Sequence, residues 1–279
     1  MKALEFYKVQ ASGNDFILVD NTKLKIANAQ LSRMAKRFCQ RSYNIGADGL
    51  LVIEPSRVSL FKMRIFNPDG SEAQMCGNGA RSSALWYSLK KKKAKAISFE
   101  TRAGIIESQV EGDKVKIKLA NPRSLREDIS LMVLGRRLKA NFLNTGVPHA
   151  VIFVQGLNQI DVEKIGRAVR FHRKFKPSGT NVNFAEVIND GFIKLRTYER
   201  GVEAETLACG TGAVAAALIT AKKLNVGTHC SASFNCKKIK VLTRGGEILK
   251  VYFEKARGKF ANVCLSGKAS LVYKGVIYV

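Results

Sequence analysis

Histidine, tryptophan and proline are scarce in this chain, and acidic residues are outnumbered two to one. Its 279 residues hold 3 His, 1 Trp and 5 Pro, with 22 Asp and Glu against 47 Lys and Arg. His149, His172 and His229 are dispersed, and no C-x-x-C pair exists, so the common zinc spacings are missing. Cys230-x5-Cys236 beside His229 fits none of them either. No apolar run approaches the roughly 18 residues of a membrane span. The start, Met1-Lys2-Ala3-Leu4-Glu5-Phe6-Tyr7-Lys8, has no continuous apolar core of the secretory kind. These absences lead to the expectation of a cytoplasmic protein with no membrane partner, no metal and reduced cysteines. Cys39, Cys230, Cys236 and Cys264 read as small apolar fillers.

A net charge of +25 admits a nucleic-acid surface. Against it, basic tracts such as Lys90-Lys91-Lys92-Lys93-Ala94-Lys95 are not interleaved with aromatics as a single-strand groove requires. That tract falls where a helix is expected to end, and cations there complement the helix dipole. The charge reads as a solvated lysine-rich surface, and no nucleic acid is expected as a partner.

What the chain does have is one unit written twice. Met75-Cys76-Gly77-Asn78-Gly79-Ala80 recurs as Ala208-Cys209-Gly210-Thr211-Gly212-Ala213, with the cysteines 133 residues apart. Ser12-Gly13 answers Thr145-Gly146 at the same separation. Lys62-Met63-Arg64 answers Lys194-Leu195-Arg196, and Thr101-Arg102-Ala103-Gly104 answers Thr243-Arg244-Gly245-Gly246. Short alternating or β-branched runs bounded by turn residues predict strands through both halves, with turns at Glu111-Gly112-Asp113 and Asn189-Asp190-Gly191. Helices are expected over Ala27–Arg41, Gly79–Lys93, Asp161–His172 and Gly212–Lys223. The helix after each cysteine is nearly apolar all round and must be buried.

The expected fold is therefore α+β, with two pseudo-symmetric halves, each a strand-rich barrel-like unit around a buried central helix. The junction is placed at the polar stretch after Pro122. It gives a first half over 1–122, completed by a returning strand over 268–279, and a second half over 123–267.

Each cysteine sits where chemistry is favoured. Glycines let backbone approach a ligand closely, and a helix start attracts an anion and favours thiolate. Two such loops supply a base and an acid for opposite faces of one carbon, which inverts a stereocentre. An amino-acid α-proton is roughly a dozen pK units less acidic than a thiol, so its removal is uphill by about 16 kcal/mol. Helix starts aimed at a developing carboxylate charge are the stabilising source. No lysine motif for a pyridoxal Schiff base is visible, and no cofactor is expected.

The chain resembles the diaminopimelate epimerase family through Ser12-Gly13-Asn14-Asp15-Phe16, Gly46-Ala47-Asp48-Gly49-Leu50 and Phe66-Asn67-Pro68-Asp69-Gly70-Ser71-Glu72. The first cysteine motif through Arg81, Asn144-Thr145-Gly146-Val147-Pro148-His149 and Thr180-Asn181-Val182-Asn183 continue it. Tyr198-Glu199-Arg200-Gly201 then leads to the second cysteine motif. The resemblance implies cofactor-independent interconversion of LL- and meso-diaminopimelate, with Cys76 and Cys209 as the acid/base pair. It implies that Gly77, Asn78, Gly210 and Thr211 hold the reacting carboxylate. By the same resemblance Asn14, Asn67, Asn181 and Arg200 are expected to bind the remote amino-acid end, and His149 and Glu199 to assist around the α-amino group. A homodimer is also implied. Two departures stand out: some relatives have Asn where this chain has Val147, and some have Gln where it has Gly49.

Three other readings compete. A proline or hydroxyproline racemase shares the first motif but typically has His at the position of Asn78. A basic nucleic-acid-binding protein is favoured by charge alone. A cysteine hydrolase leaves the second copy unexplained.

Overall fold

The computed structural model describes residues 3–91, 94–225, 227–229, 236–256 and 259–278. The chain divides into two compact units, Met1–Ile117 with Gly267–Val279, and Lys118–Ser266.

The first unit begins with β1 (Ala3–Ala11) and β2 (Asn14–Asp20), joined by Ser12 and Gly13 at φ 55° and 82°. Two successive positive φ values make a tight hairpin turn whose twist matches its strands. Then come α1 (Asn28–Phe38), β3 (Gly49–Glu54), β4 (Lys62–Phe66) and β5 (Glu72–Ala73). The buried helix α2 (Gly77–Lys90) leads to β6 (Ala96–Thr101), β7 (Gly104–Glu111) and β8 (Lys114–Lys118).

The second unit runs β9 (Arg123–Val133), β10 (Arg136–Asn144), β11 (Pro148–Phe153), α3 (Val162–Arg170) and β12 (Asn181–Asn189). Next are β13 (Phe192–Glu199), β14 (Ala204–Thr206), α4 (Gly210–Lys223), β15 (Thr228–His229) and β16 (Cys236–Leu242). β17 (Ile248–Ala256) and β18 (Lys259–Lys268) follow. Finally β19 (Ser270–Tyr278) runs antiparallel along β1 in the first unit.

Apart from the short pair β15–β16, strand pairing repeats between the units. β2 and β3 are parallel, as are β11 and β12. β4 and β6 are parallel, as are β13 and β16. The antiparallel pairs β1–β2, β3–β4, β4–β5, β6–β7 and β7–β8 have counterparts in β10–β11, β12–β13, β13–β14, β16–β17 and β17–β18. β19 does for β1 what β9 does for β10. The expected α+β class, strand-rich with few helices, is the one observed.

Burial explains the layering. The runs Phe16–Val19 and Leu50–Ile53 are buried on both faces, as continuous apolar strands between two helical layers are. Leu31, Met34, Ala35 and Phe38 of α1 pack with Leu4, Phe6, Ile17, Val19, Leu50 and Val52. α2 lies among β1, β2, β3, β4, β6, β7 and β19, and α4 among β10, β11, β12, β13, β16 and β17. Each central helix is wrapped by its own unit's strands, which is why it can lack a polar face.

The polar stretch after Pro122 forms β9, whose first residues are largely exposed. One expectation needs correcting. Cys236 is disulfide-bonded rather than a reduced filler. Cys39, Cys76, Cys209 and Cys264 are thiols; Cys39 is buried in the α1 core, and burial pushes its pKa up to about 12. Cys230, Lys92 and Lys93 lie outside the described residues. Among the described residues no helix is long and apolar enough to cross a membrane.

Candidate active site

Both cysteines occupy the residue immediately before a central helix. Cys76 has φ −137° and ψ 123°, Cys209 φ −116° and ψ 110°. This extended backbone turns the chain from loop into helix. The first helical bonds close from the Ala80 N–H to the Cys76 carbonyl at 2.8 Å, and from the Ala213 N–H to the Cys209 carbonyl at 2.9 Å. N–H groups ahead of these have no carbonyl to reach within the helix, and neither cysteine side chain caps them. Cys76 is half-buried and Cys209 buried. Each loop thus offers backbone donors and a thiol together, the pairing suited to a carboxylate beside a reacting carbon.

The second glycine of each motif lies close against its unit's strands. A Cβ on Gly79 would stand 2.9 Å from Leu51 Cδ2, the end of a side chain, and one on Gly212 would stand 2.3 Å from Asn183 Oδ1, an atom held by Thr197. The demand for hydrogen is the stricter at Gly212.

In the first unit a hydrogen-bonded chain reaches the helix start. Asn78 Nδ2 donates to Asn14 Oδ1, and Asn14 Nδ2 donates to Asp48 Oδ2, both at 2.8 Å. Fully buried Arg81 donates through Nη2 to Asn78 Oδ1 at 2.7 Å and to Ser12 Oγ at 2.5 Å. Arg41 donates to Asp48 at 2.8 Å and to Asp15 at 2.5 Å. Burial would raise the Asp15 pKa, but Arg41 and Lys8 hold it below the usual range. Asn67 stands apart from this chain. Its backbone N–H and its Nδ2 donate to Ser71 O and Oγ at 2.8 and 2.9 Å, closing the turn before β5.

In the second unit His149 and Asn181 are register partners on β11 and β12. Asn181 Nδ2 donates to Pro148 O at 2.9 Å, and its Oδ1 accepts from the Arg200 N–H at 2.8 Å. Asn183 Nδ2 donates to Ala150 O at 3.0 Å, which orients its amide and directs the same group at His149 Nδ1, 3.2 Å away. Thr197 Oγ1 completes the set, donating to Asn183 Oδ1 at 3.0 Å. With Nδ1 accepting, the imidazole proton resides on Nε2. Burial, and then Arg200, lower the His149 pKa to about 3, so the ring is neutral. Nε2–H is fully buried with no hydrogen-bond partner, a donor left for a ligand. Glu199 is also largely buried; burial raises its pKa although Thr206 Oγ1 donates to it at 3.0 Å. Thr211 Oγ1 lies 3.6 Å from Cys209 Sγ, and the Thr211 carbonyl accepts from Thr145 Oγ1 at 3.1 Å.

The anticipated residues therefore fall into two sets, each within one unit: Cys76, Gly77, Asn78, Asn14 and Asn67, and Cys209, Gly210, Thr211, His149, Asn181, Glu199 and Arg200. Gly49 could not carry a side chain unchanged, since its Cβ would meet the Phe66 carbonyl oxygen at 2.9 Å. Sequence reasoning assigns no role to Asp48, Arg81 or Asn183. Of these, Asn183 carries a usable signal, because a polar residue inside an apolar strand run marks a buried hydrogen-bond network.

Two units with one strand-pairing scheme, each holding a buried helix that begins after a cysteine, define a duplicated helix-wrapping fold. The same fold occurs in the crystal structure of a phenazine biosynthesis protein of the PhzF family from Bacillus anthracis, with TM-score 0.75, 17% identity and full coverage of both chains. A probable proline racemase from Agrobacterium radiobacter K84 matches with TM-score 0.69 and 16% identity, over 99% of this chain and 92% of that one. Sequence narrows the class. The family model of diaminopimelate epimerase matches residues 6–124 and 141–272, and the diaminopimelate epimerase of Aquifex aeolicus (strain VF5) is 40% identical over 98% of this chain and 97% of its own length. The chain belongs to the diaminopimelate epimerase family.

Proposed function

We propose that this isomerase interconverts LL- and meso-diaminopimelate without a cofactor, one of Cys76 and Cys209 removing the α-proton and the other supplying a proton to the opposite face. The observation that carries the reading is the equivalence of the two cysteines, each preceding the buried helix of a unit with the same strand pairing. In one direction the thiolate of one cysteine takes the α-proton and becomes a thiol. The electron pair stays on the α-carbon and its carboxylate, and the opposing thiol gives its proton to the other face, leaving as thiolate. The reverse direction exchanges the roles. The N–H groups of Gly77, Asn78, Gly210 and Thr211 stabilise the carboxylate as charge develops on it. His149 acts here as a neutral donor through Nε2, and Glu199 receives the α-amino group. Asn14, Asn67, Asn181 and Arg200 hold the distant amino-acid end, where a guanidinium suits a carboxylate.

On this reading the two units are the two epimerase halves, the enzyme is a cytoplasmic homodimer, and its product serves lysine and cell-wall precursor synthesis. A proline-type racemase remains the nearest rival, since structures of that name share the fold; the asparagines and Arg200 favour a substrate with a second polar end.

The test is proton exchange in deuterium oxide with LL-diaminopimelate and no added cofactor. Deuterium in the inverted product, abolished in Cys76→Ala and in Cys209→Ala, is expected. Deuterated inverted product formed at the parent rate by either variant overturns the two-base mechanism, and inversion of proline alone overturns the substrate.

A further inference from the structure

Each cysteine loop is preceded by a hairpin whose glutamate is gripped by two arginines. In the first unit Arg64 on β4 directs Nε and Nη2 at the two carboxylate oxygens of Glu72 on β5, both at 2.9 Å. Arg102 Nη1, in the turn after β6, lies 3.5 Å from Glu72 Oε2. In the second unit Arg196 on β13 directs Nε and Nη2 at Glu205 on β14, at 2.7 and 2.8 Å. Arg244, in the turn after β16, pairs with Glu205 Oε2. The duplication is in register: each glutamate stands four residues before its cysteine, and the outer arginines are those of the repeated Thr-Arg-x-Gly turns.

The arrangement locates the segment entering each thiol. β5 has two residues and β14 three, too few ladder bonds to hold the loop after them rigidly. Side chains supply the missing restraint, because a forked guanidinium–carboxylate pair fixes both distance and angle. The inner arginines are anchored elsewhere as well. Arg64 Nη1 reaches Asn28 Oδ1 at 2.6 Å and Glu54 at 3.1 Å, and Arg196 Nη1 reaches the carbonyls of Leu157 and Ile160 at 3.0 and 2.9 Å. The Glu205 side chain is 3% exposed and that of Glu72 17%. Ion pairs, whether exposed or partly buried, are poor devices for raising stability, so their duplication ahead of both thiols calls for a different purpose.

We propose that Arg64–Glu72–Arg102 and Arg196–Glu205–Arg244 are two sets of positioning residues, each setting the placement of its own cysteine at its helix start. The inference rests on the two thiols being the proton-transfer groups. Each set governs one thiol and leaves the other alone, so its failure is local to one face of the reaction.

The experiment compares Glu72→Gln and Glu205→Gln with the parent, reading alkylation of each thiol by iodoacetamide across about pH 6 to 9, peptide by peptide. Turnover is measured in parallel. Glu72→Gln is expected to change the Cys76 alkylation rate by about fivefold or more while Cys209 stays within about twofold, with kcat falling more than KM changes. Glu205→Gln is expected to do the mirror image. Both thiols unchanged in both variants, or both altered together in each, overturns the proposal. Where a glutamine variant does not fold, Arg102→Lys and Arg244→Lys decide by the same criterion, since these outer arginines are 49% and 47% exposed. Alkylation needs no substrate: selective thiol effects without turnover of diaminopimelate would sink the functional reading and keep the positioning role.

Discussion

Asn78 Nδ2 donates to Asn14 Oδ1 at 2.8 Å, joining the first turn of α2 to the first residue of β2 across 64 residues of chain. Asp48 holds the other end of the Asn14 amide, and Arg81 holds the oxygen of Asn78. Two amides that could each flip are thereby fixed in one orientation. Asp48→Ala removes the acceptor from Asn14 Nδ2. A lost hydrogen bond to a charged group is worth about 1.5 to 3 kcal/mol, so kcat/KM should fall roughly ten- to hundredfold, mainly through KM. Steady-state kinetics with a parent-like kcat/KM would show that Asn14 is oriented without Asp48.

On the proposed two-base reading each face of the carbon has its own proton donor or acceptor, so removing either thiol should stop inversion. Cys76→Ser and Cys209→Ser should each lose about 10²- to 10⁴-fold in kcat, with circular dichroism and melting like the parent's. A substitution tolerated at one position would mean that inversion uses one base.

Gly212 leaves no room for a methyl group. Its Cβ would fall 2.3 Å from Asn183 Oδ1, and that amide is held by Thr197, Ala150 and His149. Gly212→Ala should destabilise the fold by about 1 to 3 kcal/mol, and should disturb His149 as the amide shifts. Urea unfolding checks the first part; a midpoint equal to the parent's would show that the helix start can move aside.

His149 predicts a pH dependence of stability. Its folded pKa is about 3 against an ordinary 6.5, so the unfolded chain binds a proton that the folded one refuses. This contribution is fully present above 6.5 and is lost as pH falls toward 3, by up to about 1.4 kcal/mol per pH unit. Urea midpoints at about pH 7, 6 and 5 should fall more steeply for the parent than for His149→Gln. Equal slopes would mean that the folded ring takes up its proton.

Much of the fold is legible in the residues themselves. Regular alternation marks β7 and β8, continuous apolar runs mark β2 and β3, and the charge-free stretch after Cys209 announces a buried helix. β9 escapes because an exposed strand such as Arg123-Ser124-Leu125-Arg126-Glu127-Asp128 buries too little to show an apolar face. β5 and β14 escape because two or three residues hold no period.

Sequence alone determined the duplication, the chemical type of each loop and the family, since these depend on residue identity and spacing along the chain. Tertiary structure decided which polar groups meet: Asp48 with Asn14, Asn183 with His149, and each glutamate with two arginines from separate strands and turns. Those pairs are 34, 34 and from 8 to 39 residues apart. Their partners are chosen by strand register and by the desolvation of whatever each side chain is buried against, and neither quantity exists until the chain has folded.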